Sequence, residues 1–278
     1  MPSLAEVVAA LERRYDPSWA QDWDSVGLVC GDPAVTVNRI HVAVDPVEIV
    51  VDEAIASGVQ LLVTHHPLFL GGTESVAATT AKGRVVHRLI THGVALYVAH
   101  TNADVASPGV SDALAAVLGL GEVRPVEPTA ARGLGRIGEL PQPRALRDFV
   151  ADVANRLPAT RWGVRGAGDP DRVLRTVAVC GGSGGELAAA AAAAGADVLV
   201  TSDLKHHSAS EALADCGIAL VDAAHWATEQ PWVVSAAELL AADLRDAGTT
   251  VEATASTTAT DPWTLHAESL HSHSPEEL

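Results

Sequence analysis

Three short stretches carry side chains of the types that hold divalent metal ions. His65 and His66 stand together in Thr64-His65-His66-Pro67, directly after the apolar run Leu61-Leu62-Val63. His100 and Asp104 fall in His100-Thr101-Asn102-Ala103-Asp104, after an apolar run at 94–99. His225 and Glu229 fall in His225-Trp226-Ala227-Thr228-Glu229, after a third such run at 218–221. Each stretch has an ordinary alternative. Neighbours on an extended strand point to opposite faces, so two adjacent histidines need not converge. An Asn-Asp turn is normally only turn chemistry, and polar pairs four apart are common on helix surfaces. What raises the ligand reading is the recurrence of these types at the end of three apolar runs. His65, His66, His225, Asp104 and Glu229 supply three imidazoles and two carboxylates. That set fits two divalent ions bridged by carboxylate, with water completing the coordination.

The positioning elements follow from the pattern around them. Leu61 to Val63 reads as a central strand of a parallel sheet, covered on both faces. Pro67 ends it by removing a backbone donor and pushing His66 toward extended geometry. In open α/β sheets ligands gather at the carboxyl ends of strands. Helix is expected over 4–14, with Ser3 as cap and Glu6 closing a capping box, and again over 47–56, 82–91 and 110–118. Strands over 39–44, 61–63 and 94–99 alternate with them, a rhythm of βαβ units and a largely parallel sheet. Asp22 and Asp24 precede a short strand, either near the site or capping backbone N–H groups. Asp104 is expected in a turn stiffened by Asn102. Between 121 and 133 prolines and glycines break the rhythm, and a unit boundary is placed there.

Beyond it a short strand is expected at 134–140, a helix at 144–157 and a strand at 173–180. Then comes Gly181-Gly182-Ser183-Gly184-Gly185, leading into a long alanine-rich helix. This loop lacks the ending of a P-loop and the G-x-G-x-x-G spacing, so a ligand-free tight turn is preferred over a phosphate cradle. A strand at 197–201 ends at Ser202-Asp203-Leu204-Lys205-His206-His207, groups that either contact substrate or are simply solvated at the surface. One long helix is expected over 226–244 and a closing strand over 251–258. Residues 266–278 read as a disordered tail in which His271 and His273 are solvated.

Composition bounds the rest. The 278 residues are 48% hydrophobic and 19% charged, a globular balance long enough for two domains. A net charge of -17 argues against a nucleic-acid surface. The three cysteines are scattered without a C-x-x-C pair, which argues against a thiolate zinc site and for a reduced cytoplasmic setting. Neither a signal peptide nor an 18-residue apolar run is present, so no membrane partner is expected.

Taken together, the motifs resemble the Nif-three-like dinuclear metal centre family, whose members are often called GTP cyclohydrolase 1 type 2 homologues. The resemblance covers nearly the whole chain. It rests on the three ligand stretches in this order, with Asp24-Ser25-Val26-Gly27-Leu28 and Ser202 to His207. It implies two α/β domains with mixed, largely parallel sheets flanked by helices, arranged in a homohexamer, a trimer of dimers. The first domain would cover 1–129, completed by 224–278, and the second 130–223, with the chain leaving near Ala130 and returning near His225. His65, His66, Asp104, His225 and Glu229 would hold two divalent ions, with Asp104 and Glu229 bridging. Zinc, iron, manganese or nickel would suit the donors. The implied activity is metal-dependent hydrolysis of a small nucleotide-like substrate by activated water. His100, Lys205 and His206 are then candidates for proton shuttling or phosphate contact. The alternative is a non-enzymatic metal store or interaction scaffold. Three departures bear on substrate contacts: Ser25 where asparagine is usual, His206-His207 where an aromatic follows the lysine, and Gly71-Gly72-Thr73 in place of a more basic segment.

Overall fold

The computed structural model of the chain describes residues 1–127 and 132–267. Ala130, His271 and His273 lie outside them. Helix α1 (Leu4–Arg14) begins at Ser3, whose hydroxyl and backbone exchange hydrogen bonds with Glu6. The first sheet is built from β1 (Gly27–Cys30), β2 (Arg39–Ala43), β3 (Leu61–Thr64) and β4 (Ala95–Val98), closed by β11 (Glu252–Ala255) near the C-terminus. Its order is β1-β4-β3-β2-β11; all pairs are parallel except β1 with β4. Helices α2 (Glu48–Ala56) and α3 (Ala81–Thr91) make the crossovers. Every residue of β3 and β4 is buried, which is why their sequences read as unbroken apolar runs.

After α4 (Thr101–Val105) and α5 (Val110–Leu118), the chain changes sheets. Strand β5 (Gly121–Pro125) already pairs with β6 (Arg136–Ala145), so the change comes ahead of residue 130. The second sheet continues through α6 (Leu146–Arg156), β7 (Val164–Ala167), β8 (Val173–Val179), α7 (Ala188–Ala193), β9 (Val198–Ser202), α8 (His206–Glu211) and β10 (Ala219–Ala223). Its order is β5-β6-β8-β9-β10-β7.

The second sheet corrects the expectation of largely parallel sheets. Only β8–β9 and β9–β10 are parallel; β5–β6, β6–β8 and β7–β10 are antiparallel. Strand β6 runs through Pro141 and Pro143, where a short strand ending at 140 was expected, and a register shift between Glu139 and Arg144 accommodates them. The long alanine-rich helix is also shorter than read: α7 has six residues, entered through a 3-10 turn at Gly185–Leu187. Helix α9 (His225–Asp246) then packs on α5, α1, β2 and β11. Among the described residues no helix is long and apolar enough to cross a membrane.

Candidate metal centre

Six strand ends converge. In the first sheet β2 runs into Asp45, β3 into His65 and His66, and β4 into His100. In the second β8 runs into Gly181 and Gly182, β9 into Asp203, and β10 into His225, the first residue of α9. All are carboxyl ends of strands in parallel pairs, where the neighbouring strands stop and leave a crevice. Glu229, one turn into α9, is buried at the centre.

The imidazoles share one arrangement. His65 donates Nδ1–H to the Ala99 carbonyl at 2.9 Å. His66 donates to Asp45 Oδ1 at 2.7 Å, His225 to Asp203 Oδ2 at 2.7 Å, and His100 to Asp24 Oδ1 at 2.9 Å. A carbonyl or carboxylate oxygen only accepts, so each Nδ1 carries the proton and the neutral ring keeps its lone pair on Nε2. Those Nε2 atoms point inward. Glu229 Oε1 lies 3.0 Å from His225 Nε2 and 3.4 Å from His65 Nε2; Oε2 lies 3.1 Å from His66 Nε2. His66 and His225 approach each other at 3.3 Å between Nε2 atoms. Asp104 Oδ1 stands 3.6 Å from His65 Nε2. Two overlapping groups have ligand atoms within 4.8 Å of one another: His65, His66 and His100, and His66, His225 and Glu229. Each could hold a metal ion.

The protonation of the metal-free cluster follows. Burial disfavours a charged His66, but Glu229 and Asp45 outweigh it and lift its pKa to about 11. His225 is likewise lifted to about 9 against burial, by Glu229 and Asp203. His65 moves in the same direction. Burial would raise Glu229, yet the three imidazoles hold it well below the usual carboxylate range. His100 is pushed down to about 4 by burial and by the neighbouring His65 and His66. Asp104 is pushed up to about 6, chiefly by burial. Without ions, protons on Nε2 supply the positive charge that Glu229 requires.

Asp104 reaches the cluster differently from the expected turn. It sits on α4, and Asn102 does not brace it: the Asn102 amide donates to the Tyr15 carbonyl at 2.7 Å and pins the segment to the end of α1. The organiser is Asp24, which accepts from His100, from the Thr101 N–H at 3.0 Å and from the Thr101 hydroxyl. The glycine-rich loop lies against the cluster as a turn. Its Gly181, Gly182 and Gly184 N–H groups donate to Ser111, Thr228 and Thr201 hydroxyls, so they are engaged rather than open to phosphate. At Gly182, φ is +67°, and a Cβ there would stand 2.5 Å from Glu229 Oε1.

Lys205 and His206 are not brought to the cluster. Both are exposed at the start of α8, and the cavities they line contain none of His65, His66, Asp104, His225 or Glu229. A charged run at a strand end looks alike in sequence whether it faces the crevice or turns onto the outer surface. Asp45, for which the sequence suggests no role, and Asp203, expected either to contact substrate or to lie at the surface, each hold one of the rings. Asp203 does so from the left-handed region, φ 57°, uncommon for residues other than glycine but more often adopted by asparagine and aspartate.

A two-sheet α/β protein with a buried cluster of imidazoles and carboxylates at facing strand ends is thus defined as one able to hold metal. Residues 2–262 match the Duf34/NIF3 (NGG1p interacting factor 3) profile, and the chain belongs to that family. It is 52% identical to the GTP cyclohydrolase 1 type 2 homolog of Streptomyces coelicolor, over 97% of this chain and 96% of that protein. Among solved structures it is similar to the Staphylococcus aureus hypothetical protein SA1388, 30% identical with a TM-score of 0.89, over 96% of this chain and 100% of that one. A Bacillus cereus protein related to NIF3 shares the fold at 24% identity and a TM-score of 0.88, over 95% of this chain and 99% of that one.

Proposed function

We propose that this chain is a metal-dependent hydrolase of a small nucleotide-like molecule. His65, His66, Asp104, His225 and Glu229 would hold two divalent ions. The observation that carries the reading is the set of three rings, His65, His66 and His225, whose Nδ1 atoms are tied outward while their Nε2 atoms converge on Glu229. Metal-ligating histidines are oriented in this way by oxygen acceptors behind the ring. The donors fit such ions on a second count: Glu229 Oε2 is buried and forms no aligned hydrogen bond, although it is close to His66. The mixed N and O set suits zinc, iron, manganese or nickel.

Bound there, divalent ions would supply Lewis acidity and lower the pKa of water. The chain's own contribution is separate. His100 stays neutral near pH 7, is oriented by Asp24, and presents Nε2 as the atom that takes and returns a proton. Burial of His65 and Glu229 limits bulk water and strengthens the local field.

The test combines metal analysis of the purified protein with a hydrolysis screen over nucleotides, phosphoesters and cyclic amides, run against Glu229→Ala. Expected is metal in the parent protein, with turnover that is lost together with the metal in a variant that keeps its circular dichroism. Metal without turnover across the screen overturns the hydrolase and favours storage or a scaffold.

A further inference from the structure

Beside the cluster lies a cavity of about 310 Å³ whose walls include His66 and His225. Trp162, Trp226 and Trp263, half of the chain's six tryptophans, line it together with Asp261. They come from three elements. Trp162 precedes the edge strand β7, Trp226 is the second residue of α9, and Trp263 follows β11 on a segment without regular structure. That segment is tied down where it passes the site: the Thr260 hydroxyl donates to Asp45, the carboxylate that holds His66.

We infer that this cavity is a binding site for a planar nitrogen heterocycle bearing N–H donors, of nucleobase or pterin size, held beside the cluster by indole stacking and by Asp261. Four observations carry it. The Trp162 and Trp263 rings lie 5.5 Å apart at an interplanar angle of 37°, so the wall is aromatic and has the spacing of stacked rings. The Arg165 guanidinium sits 4.5 Å from the Trp162 centroid while paired with Asp222, which fixes that ring. Trp263 is 57% exposed and so has surface left for a stacking partner. Trp162 Nε1 and Asp261 Oδ2 are buried without a hydrogen-bond partner, a donor and an acceptor on the walls of one cavity. A ring with a carbonyl beside an N–H or amino group offers the complement of both, once the wall moves to admit it.

Charge selects which part of a nucleotide enters. Asp45, Asp203 and Asp261 all line the cavity. Asp45 and Asp203 are engaged by His66 and His225, leaving Asp261 to accept from the ligand. Asp261, the carboxylate left without an imidazole partner, disfavours a phosphate here, so the ring occupies this side. This assignment rests on the proposed function only in placing the ring next to the same cluster.

The experiment is a titration of metal-stripped protein, followed by tryptophan fluorescence and calorimetry. The probes are guanosine, purine riboside and ribose 5-phosphate; purine riboside keeps the stacking area of guanosine but lacks donors on the base edge. Guanosine should quench fluorescence and bind about tenfold or more tighter than purine riboside, as a hydrogen bond to a carboxylate is worth. Ribose 5-phosphate should not bind. Asp261→Asn should erase the preference, and Trp263→Ala should weaken both nucleosides about tenfold through lost stacking. Equal binding of the two nucleosides, no binding of either, or a preference that survives Asp261→Asn overturns the assignment. Unchanged metal content in the Asn and Ala variants shows that they remain folded around the cluster. No turnover enters these readouts, so ring binding without hydrolysis removes only the hydrolase. Hydrolysis in the separate screen, with no guanosine preference in this titration, removes only the ring site.

Discussion

Tying Nδ1 of each histidine to an oxygen leaves Nε2 for either a proton or a metal ion. His66, at about 11, and His225, at about 9, hold that proton at neutral pH when no ion is present. Binding a divalent ion must therefore expel protons. Raised imidazole pKa values mean that affinity climbs with pH up to about 9 and continues to climb while His66 still titrates. Calorimetry at pH 7 in buffers of differing ionisation enthalpy should show at least one proton released per metal-loaded chain. Release near zero would mean the rings are already neutral and the carboxylates do not lift them. The ligand candidates were legible because they recur in compact motifs, His65-His66 and His225 with Glu229. Their supports were not, because the partners are remote: Asp24 reaches His100 across 76 positions, Asp45 reaches His66 across 21, and Asp203 reaches His225 across 22. A lone aspartate in a loop gives no sign of which ring it will hold.

Elements hold these side chains in register, and two positions show how. The glycine-rich loop places Gly182 directly against Glu229 and His225. Gly182→Ala must both force a side chain into the left-handed region and drive a methyl against the carboxylate. It should abolish metal binding while leaving most of the fold, as read by metal content against circular dichroism. Retained stoichiometry would show that the loop can retreat. Arg136, on β6, is 1% exposed and joins the two halves of the molecule. It pairs with Asp112 of α5 through two bonds at 2.7 Å and donates to the carbonyls of Ala106, Gly133 and Gly135. Arg136→Leu leaves the Asp112 carboxylate without that partner and should cost about 3–5 kcal/mol, measured by urea unfolding; a loss under 1 kcal/mol would show that Asp112 finds water instead. The crossover helices and the strands β2, β3, β4, β8, β9 and β10 were legible, since apolar runs and glycine stops mark them. The antiparallel edges were not. Strand β7 is a four-residue exposed edge without alternation, and the prolines of β6 read as a break.

At the scale of the whole molecule the cluster is a junction. His65 and His66 belong to the end of the first sheet, Gly182 and Asp203 to the second, and His225 with Glu229 begin the helix that packs on both. No single segment of sequence shows this meeting; it follows only once each sheet is formed and α9 lies between them. An ion bound here contacts groups that the unfolded chain scatters over more than 160 residues. It therefore binds the folded state far better than the unfolded one, and its free energy adds to stability by mass action. At free metal a thousandfold above Kd the gain is about 4 kcal/mol, which for a chain of this size is a rise in Tm of about 8–16 °C. The gain should shrink as pH falls, because His66 and His225 then hold their protons more firmly against the ion. Thermal scans at pH 6 and pH 8.5, with and without a chelator, read it directly. The chelator-induced drop should be larger at pH 8.5, and Glu229→Ala should remove it at both values. An equal drop in Glu229→Ala would place the stabilising ion away from this junction. A drop larger at pH 6 would mean that protons do not compete with the ion for the imidazoles.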